Sequence, residues 1–190
     1  MAKINGITVK ALKSFRDHEG APAYQGNIYV SGKKVAFWSQ DFHGGICDNL
    51  IMEKGYSDTK LTDFVEKSNS DKAIHGKRPD GSEYSIDYSF EFLMHDLITL
   101  SNREKTFKKA KKAGFSCIFT VEGSYEEMTW YLGDAFLGKT QKEIIKAIGK
   151  DKWSHLVLRK GETEPKYHLY KSLDDFVISG KEIALKDIAA

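Results

Sequence analysis

The sequence predicts an α+β fold, with mostly antiparallel sheet and one long amphipathic helix. Segments rich in β-branched and aromatic residues are grouped before and after a single long helical stretch, which is typical of this class. Of the 190 residues, 41% are hydrophobic and 29% are charged. This composition is that of a globular protein and excludes a largely disordered or fibrous chain.

The N-terminal part of the chain predicts strands. Residues 7–12 alternate in polarity, and residues 24–30 and 35–39 flank a Gly-containing turn, which is a hairpin pattern. A further strand is predicted at 49–52. A short helix follows, capped by Asp58 or Thr59, and we expect these elements to form an N-terminal module over residues 1–70.

A polar segment at 68–82 predicts an internal linker. Beyond it, apolar residues recur every three or four positions from Asp87 to Ala113, which predicts the long helix, with Gly114 as its stop. Ser101 and Asn102 could break it in two.

The chain after Gly114 alternates between strand and helix signals and predicts a ββαββ-type module. Together with the long helix this module would span residues 83–190, separately from the N-terminal module or as one compact domain with it. The predicted elements are strands at 115–121 and 128–132, a helix between Thr140 and Gly149, an antiparallel pair at 153–158 and 167–170, and a helical turn at 172–176.

Positive charge is concentrated in one segment. The chain carries 29 Lys and Arg against 27 Asp and Glu, a net charge of +2, whereas residues 103–112 contain six cations and one acid. Lysines at spacings of three and four share a helix face, which can lie along a phosphate backbone or only solubilise the surface. The predicted phosphate-contacting residues are Arg103, Lys105, Lys108, Lys109 and Lys112.

Two groups of residues have the side chains of a metal site. Asp87, Glu91 and His95 are spaced four apart, so on a helix they would share a stripe suited to Mg²⁺ or Mn²⁺ in phosphodiester hydrolysis. Asp41 and His43 lie in a glycine-containing loop with Cys47 and form a second, weaker candidate. The alternatives are a solvated helix face and an ordinary loop.

Adjacent residues of a strand face opposite sides of the sheet, so Phe37 and Trp38 cannot both be buried if one face is wet. Trp38 is therefore a candidate partner-binding residue. The alternative is a sheet that is covered on both faces.

Other patterns narrow the class of protein. The two cysteines form no CxxC pair, and the chain has no Walker-type phosphate loop, GxSxG or HExxH motif. With no apolar run long enough for a membrane span and no signal-peptide core, we expect a cytoplasmic protein without a membrane partner.

Glycines are combined with aromatic and basic residues in the first predicted hairpin and the loop after it. The pattern consists of Gly20, Tyr24, Gly26, Ile28, Tyr29, Gly32, Lys33, Lys34, Val35, Trp38, Ser39, Gln40, Asp41, Gly44 and Gly45. It resembles the opening of small accessory proteins carried on bacterial plasmids and phages, among them anti-CRISPR inhibitors of the type II nuclease Cas9. The resemblance is confined to this part of the chain and carries over no functional residue.

The resemblance implies a mobile-element protein that inhibits a Cas9-type nuclease. Because the chain is slightly basic, contact with the RNA or the ribonucleoprotein fits it better than mimicry of DNA. We expect a non-enzymatic inhibitor that needs no cofactor. The alternatives are a metal-dependent nuclease acting on RNA or DNA, with Mg²⁺ or Mn²⁺, and a non-catalytic protein-binding module.

Overall fold

A computed structural model describes residues 1–16, 20, 22–40, 48–78, 80–158 and 162–190. It confirms the α+β class, with antiparallel pairing dominant and one helix of 23 residues. The helices are α1 (Asp58–Ser68), α2 (Phe90–Lys112) and α3 (Gln141–Ile148). The strands are β1 (Lys3–Ile4), β2 (Ile7–Arg16), β3 (Pro22–Val30), β4 (Lys33–Gln40), β5 (Asp48–Met52), β6 (Ile74–Lys77), β7 (Glu83–Ile86), β8 (Cys117–Glu122), β9 (Glu127–Leu132), β10 (Lys166–Tyr170) and β11 (Val177–Ile178).

The chain forms two compact units. Unit 1 comprises Met1–Ser101 and Val177–Ala190, and unit 2 comprises Asn102–Phe176. This division differs from the predicted modules at 1–70 and 83–190, because the boundary falls inside α2 and the C-terminal segment belongs to unit 1. A parallel pairing of β11 with β1 connects that segment to the N-terminal sheet.

Unit 1 is built on a six-stranded sheet in the order β11-β1-β2-β3-β4-β5. Ser31 and Gly32 both have positive φ, at 48° and 80°, which is the backbone of the two-residue turn that joins twisted strands. The predicted hairpin is therefore confirmed. The register of β2 against β3 shifts between Lys10 and Lys13, and a Cβ on Gly26 would lie 2.7 Å from a methyl of Val9, so this close approach requires glycine.

Trp38 is fully buried, and the prediction that it is an exposed partner-binding aromatic is wrong. β4 is an inner strand, paired with β3 and β5, and Trp38 points to the covered face of the sheet. Phe37 is on the other face and is half-buried. Phe37 and Trp38 do face opposite sides of the sheet, but Trp38, which was predicted to be exposed, is on the buried side.

The segment predicted as a linker contains regular structure. β6 and β7 form a hairpin whose turn includes Asp80 and Gly81. Before it, α1 begins one or two residues earlier than predicted, since Ser57 caps the helix in place of Asp58 or Thr59. The Ser57 hydroxyl accepts from the Lys60 amide at 3.3 Å.

α2 runs without interruption through Ser101 and Asn102. It begins at Phe90, three residues after the predicted start, and its last residue is Lys112, two residues before Gly114, whose φ is +89°. The amide of Gly114 donates to Lys111 and that of Phe115 to Ala110, which is the paired arrangement of a glycine-terminated helix. Among the described residues, no helix is both long and apolar enough to span a membrane.

Unit 2 has a three-stranded antiparallel sheet in the order β10-β8-β9. The hairpin of β8 and β9 was predicted, as was α3, whose capping box joins Thr140 to Glu143. The predicted pairing of 153–158 with 167–170 is wrong, because Trp153 belongs to a 3₁₀ turn and β10 pairs with β8. Trp153 packs instead in the core below the sheet, 6.2 Å from the ring of Phe119.

The two faces of this sheet are covered by different elements. Side chains of α3 and the following turn pack on the face of Phe119 and Val121. The opposite face presents Ile118, Thr120 and Glu122, and the C-terminal half of α2 covers it through Arg103, which contacts Glu122.

Candidate functional site

The C-terminal half of α2 presents a lysine face, defined here as Lys105, Lys108, Lys109 and Lys112. All four side chains are exposed, whereas Arg103, Phe107 and Ala110 are buried. At roughly 100° per residue, the four lysines fall within an arc of about 100° opposite the buried side. The predicted alignment of these lysines on one exposed face is therefore confirmed.

The lysine face keeps a positive charge after local pairing is counted. Residues 104–112 contain five lysines and one glutamate, Glu104, a net charge of +4. Lys108 Nζ lies 2.5 Å from a carboxylate oxygen of Glu104, and this carboxylate is 6% exposed while Lys108 is 51% exposed. The Lys108 ammonium group therefore shields the Glu104 carboxylate from solvent, and the groups exposed to solvent on this face are the lysine cations.

Arg103 is not part of this face, so the prediction that it contacts phosphate is wrong. Its side chain is 6% exposed, and its guanidinium donates to Glu122 at 2.6 Å, to Glu127 at 2.7 and 2.9 Å, and to the Tyr170 hydroxyl at 3.4 Å. Burial alone would lower the pKa of Arg103, but these acceptors outweigh it and raise the pKa. Arg103 therefore stays charged and joins α2 to the sheet.

Glu122 is the centre of the same network. Its Oε2 lies 3.0 Å from Nε2 of His168 as well as accepting from Arg103. The hydrogen bond with His168 is the largest influence on the pKa of Glu122. Burial opposes it, and Arg103 adds to it, so the pKa lies well below its usual range. Glu122 is therefore a stable anion, and its ion pair with Arg103 links α2 to the sheet of unit 2.

An open cleft of about 420 Å³ borders the lysine face. Lys108 and Lys112 line it together with Lys111, and the segment after β10 supplies Lys171 and Leu173. The Lys171 ammonium donates to the carbonyl of Lys139 at 2.7 Å, which holds this side chain in place. A concave surface with several ammonium groups is suited to an anionic ligand.

The structure does not assemble the predicted nuclease residues. Asp87 precedes α2 and is exposed, so it cannot share a helical stripe with Glu91 and His95. His95 instead lies 3.8 Å from Asp96, which accepts a 2.6 Å hydrogen bond from Tyr88. Within the described ranges, no three His, Cys, Asp or Glu side chains form a group that could hold a metal ion.

The second metal candidate, Asp41 and His43 with Cys47, lies outside the described residues. Cys117 is buried in the core of unit 2, as expected for a cysteine that acts as a small apolar side chain.

Sequence reasoning missed residues that the fold brings to the end of α2. Lys171 is far from the cationic segment in sequence yet lines the same cleft. The rings of Phe115 and Tyr131 contact each other, with centroids 5.6 Å apart, and both side chains are exposed. The strand pairing of Tyr131 with Ile118 is the signal that could have connected Tyr131 to the residues just after Gly114.

No protein-family model matches this chain, and no curated protein or solved structure shows a significant match to it.

Proposed function

We propose that this chain is a non-enzymatic, cytoplasmic RNA-binding protein from a mobile genetic element, and that it inhibits a Cas9-type nuclease by binding its RNA. The observation that carries the RNA-binding part is the lysine face, four exposed ammonium groups along one side of a rigid helix. The nuclease as target is supported only by the resemblance of the N-terminal hairpin.

The dimensions of the lysine face suit a phosphate backbone. Lys105 and Lys112 are seven residues apart, which is about 10 Å along a helix at 1.5 Å per residue. That length allows the four ammonium groups to lie along several consecutive phosphates of one strand. Four contacts predict that the logarithm of the affinity falls with the logarithm of salt with a slope of about −3 for a single strand.

The buried network makes the face rigid, which favours binding. Arg103 joins α2 to Glu122 and Glu127 of the sheet, so the helix needs no ordering when the ligand arrives. A preformed site avoids the entropy cost that a disordered basic segment incurs when it folds on its ligand.

A binding experiment tests the RNA-binding part of the proposal. We expect labelled guide RNA to bind the wild-type protein with the salt dependence given above, measured by fluorescence anisotropy. The triple variant Lys105→Glu, Lys109→Glu, Lys112→Glu should bind at least tenfold more weakly, with a slope shallower by about 2.

The matched control changes the same charge elsewhere in unit 2. Lys142, Lys146 and Lys152 are exposed, and they lie on α3 and the turn after it. The variant Lys142→Glu, Lys146→Glu, Lys152→Glu should retain nearly wild-type affinity. Equal losses in both triple variants would show that only net charge matters and would contradict a site on α2.

A cleavage assay tests the inhibition. Preincubation of the Cas9 ribonucleoprotein with the wild-type chain should reduce cleavage of a target plasmid, and the lysine-face variant should not. Undiminished cleavage at molar excess of the protein would refute inhibition. Shortening of labelled guide RNA that depends on Mg²⁺ or Mn²⁺ would instead identify the chain as a nuclease.

A further inference from the structure

We infer that the site at the end of α2 binds a single strand of RNA, with one base stacked on the exposed aromatic pair Phe115 and Tyr131. This inference rests on the proposed RNA binding and specifies the form of the ligand. It depends on three observations: the geometry of the pair, its position beside the lysines, and the exposure of its rings.

The pair is held in place by the fold. Gly114 ends α2, and the Phe115 amide donates to the Ala110 carbonyl at 3.0 Å. Tyr131 lies on β9 directly opposite Ile118 of β8. The two ring centroids are 5.6 Å apart with an angle of 40° between the ring planes. The backbone of the α2 terminus positions one ring and the backbone of β9 the other, and together the rings form an aromatic surface.

The rings remain accessible although they contact each other. Phe115 is 39% exposed and Tyr131 is 48% exposed, whereas other aromatic side chains of unit 2, such as Phe119 and Tyr170, are buried. An exposed aromatic surface that excludes water on one side only is suited to stacking with a planar base.

The aromatic pair is close to the cations. Phe115 follows Lys112 by three residues, across the helix terminus at Gly114. Tyr131 and Tyr170 are both paired with Ile118, so they are two strand spacings apart, about 10 Å. Lys171, which lines the cleft, is the next residue after Tyr170. An RNA strand can therefore reach both the cleft and the two rings within a few nucleotides.

This combination selects a single strand over a duplex. In a duplex the base faces are covered by their neighbours, and only the phosphates could use the site. In a single strand a base can turn outward and stack on the rings while the adjacent phosphates contact Lys111, Lys112 and Lys171. Charge complementarity therefore attracts any RNA, and the aromatic pair favours the unpaired form.

The experiment compares a fluorescein-labelled 12-nucleotide RNA with the same strand annealed to its complement. Wild-type protein should bind the single strand about tenfold more tightly. The double variant Phe115→Ala, Tyr131→Ala should lose that preference and bind the single strand about 5- to 150-fold more weakly, the range of one lost stacking contact, with an unchanged salt slope. Variant Tyr125→Ala is the control, since this side chain is 90% exposed at the opposite end of the β8–β9 hairpin.

Circular dichroism checks the fold of the double variant. If the alanines disturb it, the variant Phe115→Leu, Tyr131→Leu retains apolar bulk without a stacking surface and should show the same loss. Wild-type affinity in the folded aromatic variants, or equal binding of duplex and single strand, overturns the inference while leaving the lysine-dependent RNA binding intact. Failure of the wild-type protein to bind either RNA refutes the proposed function itself.

Discussion

The two units of the chain differ in charge. Unit 1 contains 14 Lys and Arg against 16 Asp and Glu, a net charge of −2, whereas unit 2 contains 15 against 11, a net charge of +4. The small net charge of the whole chain conceals this contrast. Association with a polyanion should therefore depend on unit 2, because electrostatic attraction acts over distances of about a Debye length, near 8 Å at physiological salt.

The units also differ in what holds their elements together. Unit 1 buries Trp38 together with aliphatic side chains of its large sheet, including Ile28 and Val35. Unit 2 has a smaller sheet, and on the face covered by α2 it buries the charge network of Arg103 and Glu122 beside apolar side chains. A buried ion pair contributes little net stability but fixes one arrangement, and its disruption is costly. Unit 2 should therefore be sensitive to changes in charge, and unit 1 to changes in volume.

The largest expected effect is in unit 1. Trp38→Ala should lower the free energy of unfolding by about 4 kcal/mol, since it removes a fully buried indole and leaves a cavity. Chemical denaturation measures this change. The control Ile51→Ala alters a 63% exposed side chain on the neighbouring strand and should cost less than about 0.5 kcal/mol. Comparable losses in the two variants would contradict the placement of Trp38.

The corresponding change in unit 2 removes charge instead of volume. Arg103→Met should cost about 3 kcal/mol, because Glu122 and Glu127 lose the cation that compensates their partial burial. Hydrogen exchange should report the loss in β8 and β10, with little change in β2 to β4. The control Lys105→Met alters an exposed cation two residues away on the same helix, and its effect should be near zero. Equal stability of both variants would show that the buried network is dispensable.

Local signals in the sequence were sufficient for elements whose ends are determined by neighbouring residues. Thr140 and Glu143 form the capping box that starts α3, and Gly114 ends α2. The lysine face could also be predicted, since a helix alone determines which of its residues align. These confirmed features, the helix ends and the lysine face, all depend on interactions between residues three or four apart in the sequence.

Predictions that required knowledge of distant residues failed. Arg103 belongs to a continuous cationic run, but its partners Glu122 and Glu127 are 19 and 24 residues away. Trp153 has the pattern of a strand residue, yet its burial against Phe119 decides its conformation. The aromatic pair was missed for the same reason, because strand pairing, and not sequence spacing, brings Tyr131 to Phe115.

Acid should destabilise unit 2 through Glu122. A carboxylate whose pKa is lowered by folding stabilises the native state above its unfolded pKa, about 4.3 for Glu, and this contribution is lost as the pH falls through the folded value. Amide protection in β8 should therefore decrease progressively below about pH 4. The decrease should be shallower in Glu122→Gln, which has no carboxylate to titrate at this position.

Glu164→Gln is the control for the acid experiment. This glutamate is 56% exposed and pairs with Lys150 on the surface of the same unit, where an ion pair contributes little. It should retain the acid dependence of the wild-type protein. An identical pH profile for Glu122→Gln and the wild type would show that the stabilising network does not depend on the charge of Glu122.

The smallest expected effect is a gain in unit 1. Ala11 lies in the bulge of β2 with φ of 53°, a left-handed conformation that costs a residue with a Cβ about 1 kcal/mol. Glycine adopts it without that penalty but has more freedom to lose on folding, so Ala11→Gly should stabilise the protein by a few tenths of a kcal/mol, and at most by about 1 kcal/mol. The control Ala36→Gly, on the inner strand β4, should destabilise it, because there the backbone is extended and the methyl group is buried. A loss of stability in Ala11→Gly would contradict backbone strain in the bulge. A higher melting temperature would show that the bulge is retained although the left-handed conformation of Ala11 costs stability.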